Sequence, residues 1–175
     1  PFLAIDMLTQ ANKLKSKGKD IIHMDVGEPG IKPSKKLLKH IQHLIVKEDL
    51  GYTEPIGIPS LRHKIVEHYD RWYGSKIHQD NVAITSGASG AFVLSLLAAF
   101  DVGDEIAIMT PYYPAYINTL KALGLKINLL KGNVSNGFQP TLKILKEIKS
   151  NFKGLVIASP ANPTGSIINK EEMVK

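Results

Sequence analysis

Short apolar runs at Val82–Thr85, Glu105–Met109, Lys126–Leu130 and Leu155–Ala158 alternate with helix-period segments over Ala91–Phe100, Tyr116–Leu123 and Thr141–Lys149. A strand that returns after a helix pairs most readily in parallel with the one before it, and a parallel sheet needs cover on both faces. The spacing therefore predicts an α/β fold, a mainly parallel sheet with helices on both faces. Gly103-Asp104 and Gly124 mark turns between its units. Ahead of the sheet, Ile5–Lys17 reads as an amphipathic helix stopped at Gly18, Ile21–Met24 as a short strand, Ser34–Val46 as a helix opened by a serine cap, and Pro59–Tyr73 as another helix. No internal repeat or low-complexity linker interrupts the pattern.

In open α/β sheets ligands bind outside the carboxyl ends of the strands. Three motifs fall there. Asn162-Pro163-Thr164-Gly165 follows the last apolar run and sets a polar amide at its tip, although taken alone the tetrapeptide is also an ordinary tight turn. Thr85-Ser86-Gly87-Ala88-Ser89-Gly90 precedes the helix over Ala91–Phe100, so backbone N–H groups converge at a helix start, where an anion or a simple serine cap would satisfy them. Thr110-Pro111-Tyr112-Tyr113-Pro114-Ala115-Tyr116 follows a third run, and its tyrosines either offer a flat face to a planar ligand or fill the edge of the core. There is no Gly-x-Gly-x-x-Gly and no Gly-Lys-Ser/Thr, which argues against dinucleotides and nucleoside triphosphates. An anion cradle, an aromatic plate and a polar amide together describe a small ring with a phosphate at one end and a phenolic oxygen at another, the shape of pyridoxal phosphate.

On these motifs the chain resembles the amino-terminal part of a class I/II, fold-type I, pyridoxal-phosphate-dependent aminotransferase. Two further segments carry the resemblance: Asp25-Val26-Gly27-Glu28-Pro29, and the stretch from Gly51-Tyr52 through Gly57 to Leu61-Arg62. The resemblance implies that the backbone at Gly87, Ala88 and Ser89 holds the cofactor phosphate. It also implies that Tyr113 stacks on the pyridine ring and that Asn162 hydrogen-bonds its phenolic oxygen. Gly27 would lie near the substrate carboxylate, and Tyr52 would reach the phosphate of a partner subunit in a homodimer. Arg62 matches a structural position and receives no chemistry, and Gly30 stands where many relatives carry an acid. Residues 1–30 would be an amino-terminal arm and helix belonging to a small domain, and 31–175 the first part of a large cofactor-binding domain, incomplete at its C-terminal end. The family's Schiff-base lysine, ring-pairing aspartate and main carboxylate-binding arginine follow the Asn-Pro-Thr-Gly turn by many residues. The catalytic residues are therefore expected beyond Lys175, with these residues alone inactive. The implied reaction moves an amino group between an amino acid and a 2-oxo acid. Lyase or decarboxylase chemistry on the same fold, or a non-catalytic module that binds a phosphorylated metabolite or dimerises, are the alternatives.

Composition narrows the field. With 43% hydrophobic residues in 175, the chain can bury a core, and its length alone suggests one domain. The net charge of +6 comes almost wholly from lysine, since Arg62 and Arg71 are the only arginines. Lysines spread along the chain do not make the clustered, arginine-rich footprint of a nucleic-acid surface. The six histidines show no ligand constellation, so no metal is expected. Without cysteine there is neither a disulfide nor thiolate chemistry. The start at Pro1 lacks a signal-peptide pattern, and the longest apolar stretch, Ala91–Phe100, is too short for a bilayer, so a cytoplasmic protein with no membrane partner is expected.

Overall fold

The structure, a computed structural model, describes residues 3–148 and 151–174. The chain divides into two compact units, one ending at Ser86 and the other starting at Gly87.

The first unit holds three helices: α1 (Leu3–Lys15), α2 (Lys35–Lys47) and α3 (Pro59–Tyr73). Gly18 ends the first with φ +78, which costs glycine nothing. Ser34 caps α2, its hydroxyl accepting from the Leu37 N–H at 3.2 Å. Pro59 opens α3 at a position where its missing N–H is not needed, and Gly74 closes it in the left-handed conformation. The short strand expected at Ile21–Met24 is irregular backbone. Val82–Thr85, expected as a fourth sheet strand, is extended but joins no ladder. Two of its backbone groups bond elsewhere: Ile84 donates its N–H to the Ile56 carbonyl at 3.0 Å, and the Val82 carbonyl accepts from Arg62 Nε at 2.9 Å. Arg62 is buried and also donates to the Gln79 carbonyl at 2.7 Å and to Asp80 Oδ1 at 3.2 Å. One planar guanidinium thus ties α3 to the 3₁₀ turn at Gln79–Asn81, which bears out its structural reading.

In the second unit three strands, β1 (Glu105–Thr110), β2 (Lys126–Lys131) and β3 (Gly154–Val156), form a parallel sheet in the order β2-β1-β3. Its helices are α4 (Gly87–Ala99), α5 (Pro114–Ala122), α6 (Leu142–Glu147) and α7 (Lys170–Val174). The expected α6 end at Lys149 lies outside the described residues. Alternation along β1 creates both layers. Ile106 and Ile108 pack with Leu96 of α4 and with Ile117 and Leu120 of α5, whereas Ala107 and Met109 face Ile144 and Leu145 of α6. The sheet is therefore parallel and covered by helices on both faces, as the strand–helix alternation predicts. At its base Lys153 Nζ meets Asp104 Oδ1 at 2.8 Å while the Lys153 N–H bonds the Glu105 carbonyl at 2.8 Å. Among the described residues no helix is long and apolar enough to cross a membrane.

Candidate functional site

Parallel strands put their carboxyl ends on one side, so β1 and β3 deliver their following loops to the same edge of the sheet. After β1 come Pro111, Tyr112 and Tyr113, with Tyr113 at the N-cap of α5 and Pro114 as its first residue. Tyr113 is half-buried, and its ring stands nearly perpendicular to that of Tyr116, with centroids 5.5 Å apart at 84°. Tyr116 in turn lies 5.0 Å from Phe92 of α4. A chain of rings therefore runs from the first turns of α4 to Tyr113.

After β3 the backbone turns through Asn162-Pro163-Thr164-Gly165. The Asn162–Pro163 bond is cis, as are Thr110–Pro111 and Ser159–Pro160. Gly165 takes φ +69, its N–H reaches the Ala161 carbonyl at 2.7 Å, and the Ala161 N–H reaches the Ser166 carbonyl at 2.8 Å. These bonds brace the turn in which Asn162 stands exposed. A cavity of ≈ 20 Å³ at the strand tips is lined by Pro111, Tyr112, Tyr116, Gln139, Ala161 and Asn162 among others. The loops after β1 and β3 thus share one lining.

Gly87, Ala88 and Ser89 form the first turn of α4 and are exposed. Gly87 enters the helix with φ +75, and a Cβ built on it would meet nothing within 4 Å. No acidic side chain occupies that turn. The first turn of this apolar thirteen-residue helix is therefore free of carboxylates, and a helix amino end of that kind favours negative charge. Of the residues expected to contact a cofactor, Asn162 lines the strand-tip cavity, whereas Gly87, Ala88, Ser89 and Tyr113 are not part of its lining.

Gly27 and Tyr52 lie in the unit that ends at Ser86. A Cβ on Gly27 would meet nothing within 4 Å, and Tyr52 is fully exposed. The residue that sequence reasoning passed over is Gln139, buried at 4% exposure, whose side-chain amide reaches the backbone on both sides of Asn162. Its one sequence signal is a polar residue between Phe138 and Pro140 just ahead of a helix cap, too weak to single it out. Among the described residues no group of three or more His, Asp or Glu side chains could hold a metal ion.

The model of the family "Aminotransferase class I and II" matches residues 19–175. The valine–pyruvate aminotransferase of Mycobacterium tuberculosis is 38% identical over 99% of this chain and 45% of its own length. The (5-formylfuran-3-yl)methyl phosphate transaminase of Methanocaldococcus jannaschii is 36% identical over 97% of this chain and 44% of its own length. A crystal structure of an aminotransferase from M. tuberculosis superposes with a TM-score of 0.94 at 37% identity, over 99% of this chain and 45% of that one. The aspartate aminotransferase of Thermus thermophilus with maleate superposes at 0.91 with 26% identity, over 99% and 46%. The chain thus spans about 45% of the length of the curated relatives it matches.

Proposed function

We propose, for a chain that belongs to the class I and II aminotransferases, that the protein of which these residues form a part transfers an amino group between an amino acid and a 2-oxo acid with pyridoxal phosphate. The observation that carries this reading is the shared lining of the strand-tip cavity by the loops after β1 and β3, with the tyrosine chain leading back to Phe92 of α4. When bound, the cofactor supplies an electron sink for the bonds around the substrate's amino-bearing carbon.

The chain's own residues then have distinct tasks. The α4 backbone at Gly87, Ala88 and Ser89 binds the phosphate, where a helix amino end favours negative charge. Tyr113 presents its ring to the pyridine and, braced by Tyr116, resists rotation. Asn162 donates its amide N–H to the phenolic oxygen, favouring its ionised form. Gly27 leaves room for the substrate carboxylate. Tyr52, exposed on one subunit, reaches the phosphate held by the partner copy of a homodimer. In this reading residues 1–30 belong to a small domain and 31–175 to the large one. The anchoring lysine, the acid facing the ring nitrogen and the main carboxylate-binding arginine belong to the part of the relatives' length that these residues do not span. The protein acts in the cytoplasm.

The test is the pH titration of the bound cofactor's visible absorbance in the full-length protein. Asn162→Ala removes a donor that competes for the phenolic oxygen's lone pair, so the midpoint should rise; an unmoved midpoint removes Asn162 from the ring. Tyr52→Phe should weaken cofactor retention by about 1–3 kcal/mol, the range for a hydrogen bond to a charged group, measured as the dissociation constant of the cofactor. Equal retention would discard the cross-subunit contact.

A further inference from the structure

We infer that Gln139 is a positioning residue: its buried side-chain amide ties together the two limbs of the turn that carries Asn162 and so fixes where the Asn162 amide stands. The inference rests on the reading of Asn162 given above. Gln139 Nε2 donates to the Ser166 carbonyl at 2.8 Å and to the Ala158 carbonyl at 3.1 Å, with Ser166 Oγ a longer third contact at 3.3 Å. Ala158 stands four residues before Asn162 and Ser166 four after it. A primary amide carries two N–H bonds, so one side chain spends its full donor capacity on closing this turn. The Ser166 carbonyl also accepts the Ala161 N–H at 2.8 Å, which makes it the point where the brace and the turn's own ladder meet.

No hydrogen bond among the described residues holds the Asn162 side chain, so the backbone of the turn sets its aim. β3 ends at Val156, short of the Ala158 expected from sequence, and the Ala158 carbonyl is bound to Gln139.

The chain before Gln139 is built to deliver it. Gly132 passes so close to β1 that a Cβ there would collide with the Thr110 carbonyl and lie 2.9 Å from Phe138 Cα. Asn133 and Asn136 then cap each other's backbone around a 3₁₀ turn at Val134–Asn136. Gly137 and Phe138 both take φ 60, and Phe138 is the one non-glycine residue with positive φ among those described. Its N–H is held by the Asn133 carbonyl at 2.9 Å and by Asn136 Oδ1 at 3.0 Å. A bulky residue stays in this conformation only where its surroundings over-determine it. Here the result is a sharp reversal that buries the next side chain, Gln139, against the strand-tip loops.

The same cofactor titration in the full-length holoenzyme tests the inference, comparing Gln139→Met, Asn162→Ala and the double variant. Methionine keeps the length and apolar stem but offers no N–H. The midpoint should rise in both single variants, by less in Gln139→Met, and the double variant should rise no further than Asn162→Ala alone, because Gln139 acts only through Asn162. An unmoved midpoint in Gln139→Met beside a shifted one in Asn162→Ala, or fully additive shifts, overturns the inference and leaves the cofactor assignment standing. An unmoved midpoint in Asn162→Ala overturns that assignment and the inference with it. Should Gln139→Met not fold, Gln139→Asn, a polar side chain too short to span both carbonyls, is read by the same outcomes. In the cofactor-free protein, hydrogen exchange at the Ala161 and Gly165 amides should quicken in Gln139→Met; unchanged protection there also counts against the brace.

Discussion

The two halves of this chain are held together by different physics. From Gly87 onward, buried hydrophobic side chains from the sheet and its helices form two clusters, one on each face of β1, with Ile106 and Leu120 fully enclosed. Among the described residues up to Ser86 the buried side chains are Val82 and the charged Arg62, while α2 leaves Leu37, Leu38, Ile41 and Leu44 exposed. The polar contacts of this half include helix caps and one guanidinium gripping two carbonyls and a carboxylate. A parallel sheet satisfies its backbone and buries both faces within one stretch of chain. An amphipathic helix has only one apolar stripe and needs a neighbour to cover it.

The sharpest way to break this contrast is a pair of truncations. Leu120→Ala, at a fully buried site, should lower unfolding free energy by about 2–5 kcal/mol, whereas Leu38→Ala at 44% exposure should stay within about 0.5 kcal/mol. Denaturant titration of each decides it; equal losses would mean that α2 is as firmly packed as the sheet.

A smaller effect is expected at Arg62. Arg62→Met keeps the apolar stem but strips donors from the Val82 and Gln79 carbonyls, a loss of about 1–3 kcal/mol by the ordinary cost of an unmet buried group. Hydrogen exchange should show the loosening centred on residues 79–84. Uniform loosening through β1 would show that the charged clamp supports the whole chain and not its own half.

The smallest effect belongs to the ion pair at the sheet base, in which Lys153 is exposed and Asp104 largely covered. The hydrogen bond from Lys153, followed by that from the Asp101 N–H, holds the Asp104 carboxyl below its ordinary value, and Asp104 raises Lys153 in return. A depressed carboxyl contributes stability that is present above its unfolded value and lost as pH falls through the folded one. The raised lysine contributes below its unfolded value and loses that contribution as pH climbs through the folded one. Asp104→Asn should therefore lower the melting temperature slightly at neutral pH and converge with the unsubstituted protein in acid. Added salt should narrow the gap, since the Lys153 side chain is open to water. A gap that widens in acid would reverse the sign and remove the pair as its cause.

How much was legible in the sequence follows the same division. The β1 and β2 runs could be read because their apolar residues come in short blocks bounded by Gly103, Gly124 and Gly132, and α3 because Pro59 and Gly74 punctuate it. Val82–Thr85 has an equally apolar sequence and still joins no ladder among the described residues, and Ile56 and Arg62, distant in sequence, bond its Ile84 N–H and Val82 carbonyl instead. Gln139 could not be read as a brace for the converse reason: its partners, Ala158 and Ser166, lie 19 and 27 residues away.

Taken alone, the order of residues determined the strand–helix alternation, the parallel sheet, the turns at the strand tips and the family, because each depends on periodicity and turn chemistry within a few neighbouring positions. Only the tertiary structure decided that three strands and not four form the ladder, that Arg62 works as a clamp, and that a buried amide sets the turn bearing Asn162. Those outcomes depend on which backbone donors and acceptors remain unclaimed once distant segments meet, and local pattern carries no record of that.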